Sequence, residues 1–159
     1  MSVAFRRESD EEHLEPRFER PIPPGPNPVT ARGLRLIEEE VATLEARLRD
    51  PLDETARAAA TRDLRYWRRR LATAEVVTPS GGDEVAFGSR VRFRLNGREQ
   101  RVRLVGHDEA DAANGTLAVT APLARALLGA GPGDLLPFAG RADALEVLDV
   151  APGGNEPTP

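Results

Sequence analysis

The residues of this 159-residue chain best suited to chemistry are carboxylates, and they fall in two runs. Asp50-Pro51-Leu52-Asp53-Glu54 separates two helical patterns, and Asp108-Glu109-Ala110-Asp111 follows a strand pattern. Carboxylates carried on a stalk can hold a Mg²⁺ inside another protein's active site. Asp50, Asp53 and Glu54 equally suit local chemistry: Asp50 closes one helix, and Asp53 or Glu54 caps the positive end of the next. Asp108, Glu109 and Asp111 lack the ligand spacing of a calcium loop. Their turn admits a solvated, a protein-binding or a metal-binding reading. Neither run is joined by a Gly-rich phosphate loop, a nucleophile elbow or a dinucleotide fingerprint. There is no Cys, and His13 and His107 are too far apart for metal-ligand spacing. A stand-alone enzyme is not expected, and neither is an intrinsic metal or cofactor.

All 22 basic residues are Arg. Arg57, Arg62, Arg65 and Arg69, with Arg68 and Arg70, make the second helical pattern basic, while the first is acidic. Charge pairing between the helices accounts for part of this. A basic face meeting RNA or an acidic channel wall accounts for it as well. The net charge of -4 gives no overall field for nucleic acid, so duplex binding is not expected as the main activity. No apolar run approaches the ~20 residues of a membrane span, and Met1–Asp10 has no apolar core of a signal peptide. The expected place is the cytoplasm, with no membrane or small-molecule partner.

These residues need a scaffold, and the periodicities supply one. Residues 1–29 are polar and Pro-rich, with Pro21, Pro23, Pro24, Pro26 and Pro28 excluding a helix, so a largely extended tail is predicted. Phe5, Leu14, Phe18 and Ile22 give that tail points for docking. Thr30 is a plausible N-cap. Leu34, Ile37, Val41, Leu44 and Leu48 then repeat at spacings of 3 and 4, and Ala60, Leu64, Trp67, Leu71 and Ala74 do the same. Two such seams joined by a short turn predict an antiparallel helical hairpin over 30–77. Residues 78–84 read as a linker. The period then becomes 2: Val91, Phe93 and Leu95 alternate with Arg90, Arg92 and Arg94, and Asn96-Gly97 marks a tight hairpin. Arg101 and Arg103 continue the charged face on the returning strand. Over 85–150 the pattern predicts a small curved antiparallel sheet with one helix started by Pro122, and a Pro/Gly tail over 151–159. The fold class is α+β.

Residues 87–150 resemble the C-terminal domain of the GreA/GreB transcript-cleavage factors. The match runs through Phe87-Gly88-Ser89-Arg90-Val91, then Leu104-Val105-Gly106-His107-Asp108-Glu109-Ala110-Asp111. It continues through Leu117–Gly129, with Pro122-Leu123-Ala124-Arg125-Ala126-Leu127 at its heart, and Pro132-Gly133-Asp134. Thr30-Ala31-Arg32-Gly33 resembles the opening of the family's coiled coil. The resemblance implies a coiled-coil stalk followed by an FKBP-like domain without isomerase activity. It implies RNA polymerase as partner, gripped at the rim of the secondary channel through Asp108, Glu109, Thr120, Pro122 and Arg125. Nucleic-acid contact would be indirect, and any Mg²⁺ would sit in the polymerase's own site. Thr120 replaces the family's Asp or Asn and Ala121 its Ser. The stretch from Thr30 to Asp50 makes ~30 Å of helix, whereas family stalks look nearly twice as long. The tip also lacks the family's Asn and aromatic residue. Short stalk and altered tip resemble Rnk, a Gre-like protein that binds polymerase without stimulating cleavage. Three functions follow: a polymerase-binding regulator with little cleavage stimulation, an active cleavage factor using the tip carboxylates, or an FKBP-like module for a different protein.

Overall fold

The computed structural model describes residues 19–79 and 82–154. Phe5, Leu14 and Phe18 of the expected tail, His13, two linker positions and residues 155–159 lie outside that range. The described chain is α+β, with three α-helices, a two-stranded ribbon and a five-stranded mixed sheet. No described helix is long and apolar enough to cross a membrane.

The first helix, α1 (Ala31–Arg47), starts at Thr30, whose extended backbone and side chain accept the first turn: Thr30 Oγ1 takes the Gly33 N–H at 3.0 Å. The second, α2 (Glu54–Thr73), starts in the same way at Asp53, which accepts the Ala56 N–H at 2.7 Å. Their spacing of apolar residues gives each one buried stripe. Val41 and Leu44 of α1 meet Ala60 and Leu64 of α2, with Leu48, Trp67 and Leu71 packed around them. The small Ala60 lets the helices approach closely. This seam is narrow, and two helices with so little shared apolar surface are marginal alone. Attachment to the rest of the chain must hold their far ends.

That attachment begins with strands the sequence pattern does not reveal. Strand β1 (Asn27–Val29) pairs in parallel with β2 (Ala74–Val76), which continues directly from α2. Parallel strands need a long crossover, and the α1–α2 pair serves as that crossover. Pro28 hides β1 in the sequence, because a Pro cannot donate to a ladder and reads as a breaker. A three-residue ribbon tolerates it.

The remaining strands are β3 (Arg90–Leu95), β4 (Arg98–Val105), β5 (Thr116–Ala118), β6 (Leu135–Phe138) and β7 (Arg141–Ala151), in the order β5-β4-β3-β7-β6. Asn96 and Gly97 both take positive φ, 48° and 83°, the twist-matched turn for a two-residue hairpin. One face carries Val91, Phe93, Leu104, Leu145 and Val147, all buried against α3 (Pro122–Leu127) through Ala124 and Leu127.

The expectation of a purely antiparallel sheet is corrected: β5 runs parallel to β4, with Arg103 opposite Thr116 and Val105 opposite Ala118. The cause is the connection. Residues 106–115, including a 3-10 turn at Ala112–Asn114, carry the chain back to the level of Arg103, so β5 sets out alongside the last three residues of β4 and in the same direction. Asp111 fixes that return by capping the Ala113 N–H at 3.0 Å and holding Asn114 Nδ2 at 2.7 Å.

Candidate functional site

Two motifs distant in sequence meet in space. The opening of α1 lies against the turn after β4, and the contact is polar and mostly buried. Gly106 lets β1 pass: a Cβ there would stand 2.8 Å from the Pro28 carbonyl oxygen. Gly33 makes room for Glu109, whose Oε2 would lie 2.7 Å from an added Cβ. The Thr30 hydroxyl donates to the Glu109 carboxylate at 2.6 Å while accepting from Gly33. Both glycines are therefore explained by close approach.

Asp108 reaches further in. Its Oδ2 accepts from Arg70 Nε at 2.6 Å, and the two side chains are only 6% and 3% exposed. Tyr66 donates its hydroxyl to Asp108 Oδ1. Arg70 Nη2 also donates to Asn27 Oδ1 at 2.6 Å, and Asn27 Nδ2 donates to the Arg70 carbonyl at 2.9 Å. The guanidinium of Arg20 lies 3.9 Å from the Tyr66 ring centre, a cation–π contact. Trp67 meets the same ring edge-on at 5.2 Å. Burial, the hydrogen bond to Asp108 and the nearby negative charge push the Tyr66 hydroxyl up from 10.0 to about 12, against the opposing pull of Arg70 and Arg20. Tyr66, Arg70, Asn27 and Asp108 thus fasten the α1–α2 pair, the stalk, to the five-stranded sheet with its helix α3, the head.

Sequence reasoning did not single out Tyr66 or Asn27, and it counted Arg70 only as part of a charged face. The available signal was spacing: Tyr66 and Arg70 are four apart, share a helix face, and stand off the apolar seam. The structure turns Asp108 and Glu109 into this junction. It leaves Pro122 and Arg125 exposed on α3, with Thr120 just before it. The Thr120 hydroxyl lies 2.6 Å from His107 Nδ1.

The tip lies at the other end of the stalk. Asp50, Asp53 and Glu54 are all exposed there. Asp53 is committed to its cap. Arg57 closes the tip by donating to the carbonyls of Leu48 and Asp50, each at 3.1 Å. Asp50 and Glu54 point no carboxylate at any described partner. Among the other basic residues of α2, Arg65 pairs with Glu19 at 2.8 Å and Arg68 with Glu45 at 3.0 Å, while Arg69 is exposed and Arg62 half-buried. No group of three or more potential metal ligands occurs among the described residues. Replacing Asp53 by Ala is expected to cost about 1 kcal/mol in urea unfolding by removing a helix cap. Asp50→Ala is expected to stay within about 0.5 kcal/mol of the parent.

Comparison with known proteins gives three results. A family model described as "Transcription elongation factor, GreA/GreB, C-term" matches residues 78–152. The chain is 32% identical over 131 residues to transcription elongation factor GreA of Nitratidesulfovibrio vulgaris strain DP4, covering 67% of this chain and 80% of that one. It is 31% identical over 150 residues to the GreA of Acidiphilium cryptum, covering 77% and 96% respectively. Among solved structures, the GreA factor homolog Gfh1 of Thermus thermophilus aligns with 79% of this chain and 99% of its own, at 18% identity and a TM-score of 0.37.

Proposed function

Because this chain belongs to the GreA/GreB family of transcription elongation factors, we propose that it docks on RNA polymerase at the rim of the secondary channel and stimulates transcript cleavage little or not at all. The head, FKBP-like in this reading, supplies the grip through Thr120, Pro122 and Arg125. The helical pair acts as an antiparallel coiled-coil stalk pointing into the channel. Asp108 and Glu109 contribute from inside, by fixing the head on the stalk so that grip and stalk keep one relative orientation.

The observation that carries the reading is the size of the stalk. Helix α1 has 17 residues and α2 has 20, lengths of about 25 and 30 Å. One of the three tip carboxylates is already spent on the Asp53 cap. A stalk of that reach, on a head held at the rim, stops short of the metal that joins nucleotides. It still fills the channel mouth, so the chain acts by occupancy and competes with longer-stalked relatives. Any Mg²⁺ in such chemistry belongs to the polymerase.

The exposure of Asp50 and Glu54 favours a second reading, an active cleavage factor that donates these two side chains. One experiment separates the two. Backtracked elongation complexes are incubated with this chain, with a cleavage-active GreA, and with both. The expected result is no release of short 3′ fragments by this chain alone, and suppression of GreA-stimulated release in the mixture. R125E is expected to lose the suppression. Fragment release by this chain alone that disappears in D50A/E54A would establish the second reading instead. Failure to suppress at any excess would remove the shared docking site.

A further inference from the structure

Strand β4 ends at Val105 and β5 at Ala118, and these two residues stand opposite each other in parallel. The last backbone bond between the strands runs from the Val119 N–H to the Val105 carbonyl at 2.9 Å. Two residues further along each strand, His107 and Thr120 meet through their side chains, Nδ1 to Oγ1 at 2.6 Å. Parallel strands advance together, so this contact continues the register past the end of the ladder. A hydroxyl at the entrance to a helix commonly caps it. This one does not: Ala121 is the N-cap of α3, and no side chain caps the first turn. Among the described residues His107 is the only hydrogen-bond partner of the Thr120 hydroxyl. His107 itself sits on a fixed base. Gly106 before it leaves no room for a Cβ beside Pro28, and Asp108 after it is held by Arg70 and Tyr66.

We infer that His107 is a positioning residue for the docking surface: its Nδ1 takes the Thr120 hydroxyl proton, and Thr120 Oγ1 is left as a pure acceptor for an N–H of the partner. The inference rests on the docking reading above, in which Thr120 belongs to the grip. A hydroxyl has one proton and two lone pairs, and a neutral imidazole has one nitrogen that donates and one that accepts. Two arrangements therefore fit the 2.6 Å contact. With the ring proton on Nδ1, the ring donates, and the hydroxyl hydrogen has no acceptor among the described residues. With the ring proton on Nε2, the hydroxyl donates to Nδ1, and only acceptor sites stay open. In folded proteins an orphaned N–H donor is rarer than an under-used carbonyl oxygen, and the same asymmetry favours the second arrangement. Both residues are half-buried, which leaves side-chain surface open to a partner beside the exposed Pro122 and Arg125. The hydroxyl is then held in one orientation by a ring on a rigid turn, and the partner's donor meets a preorganised acceptor. The matching group on the partner is an N–H and not a carboxylate, because a carboxylate would face only lone pairs.

The test measures binding of the full chain to immobilised core RNA polymerase, with displacement by a cleavage-active GreA as the check on the site. H107A and T120V are each expected to weaken binding about tenfold, the loss of one oriented hydrogen bond. H107A/T120V is expected to lose no more than the worse single variant, because the two groups act as one. H107N is expected to bind within about threefold of the parent, because its side-chain oxygen is an acceptor placed much as Nδ1 is. T120D supplies an acceptor that needs no orienting, so H107A/T120D is expected to bind within about twofold of T120D. An equal loss on adding H107A to the parent and to T120D would make His107 a merely structural residue and overturn the inference. So would H107N binding no better than H107A. Binding by the parent that H107A leaves intact overturns this inference alone; no binding by the parent overturns the docking reading and this inference with it. Nitrogen-15 NMR of the free chain reads the imidazole without the polymerase. His107 Nδ1 is expected to be unprotonated at neutral pH, with a signal that moves in T120V. A protonated Nδ1 would overturn the inference whatever the binding result.

Discussion

Arg70→Ala is expected to be the most damaging single substitution in the described stalk, costing about 3–5 kcal/mol. The substitution leaves the Asp108 carboxylate, 6% exposed, without its cation. It also strands the Asn27 carbonyl oxygen, which accepts from Arg70 Nη2 at 2.6 Å. A buried charge deprived of its partner costs far more than the pair contributes when whole, because desolvation is no longer offset. Asp108→Ala is expected to be similarly severe, since it strands Arg70 and the Tyr66 hydroxyl together. The R70M/D108L double variant should lose less than the sum of the single losses, because removing both partners removes the orphan. Urea unfolding followed by Trp67 fluorescence measures all three. A loss below about 1 kcal/mol for Arg70→Ala would show that stalk and head are held by other contacts.

Alkaline pH provides the second large effect, at the same junction. The Tyr66 hydroxyl is raised from 10.0 to about 12, and the ring is 4% exposed. The fold favours the protonated phenol, so the stabilisation is fully present below pH 10 and is lost as pH climbs toward 12. Over that window the unfolded chain gives up its proton first, and about 2–3 kcal/mol is expected to disappear. Composition makes this measurement unusually clean. The chain has a single Tyr, no Cys and no Lys among its 22 basic residues, while Arg titrates only above ~12. Phenolate absorbance therefore reports Tyr66 alone, and Y66F is expected to lack the alkaline fall between pH 10 and 12. An absorbance midpoint near 10 in the folded protein would mean that Asp108 and burial do not hold the phenol.

Both predictions concern the place where the two recognisable motifs touch. Thr30 and Gly33 open the stalk; Gly106, Asp108 and Glu109 close the strand. Local rules gave each of these residues a local role. Thr30 was legible as an N-cap, and it is one, but the same hydroxyl also donates to Glu109. A cap is readable because its partner lies three residues away. Glu109 lies 79 residues away, and no periodicity carries that distance.

The helix pair shows the readable side. The apolar spacings at Val41, Leu44, Ala60 and Leu64 follow from 3.6 residues per turn, and these side chains are the buried ones. The alternation of Arg with Val91 and Phe93 likewise puts the charges on one face of the sheet and the core on the other. Asn96-Gly97 dictated its turn because few other pairs adopt positive φ twice in succession. Strand direction was not legible in this way. The antiparallel expectation failed at β5, because parallel or antiparallel pairing depends on how the 106–115 connection folds back, and alternation is the same in both.

By itself the sequence determined the helices, the strands of the larger sheet, their buried faces and the family, because those depend on neighbours within a few residues or on ordered motifs; the β1–β2 ribbon it did not show. Only the tertiary structure decided which charges meet. Asp108 became the buried partner of Arg70, while four arginines of adjacent strands were brought face to face beside α1. A charge's role depends on its distance from other charges and from water, and both distances are fixed only when the chain has folded.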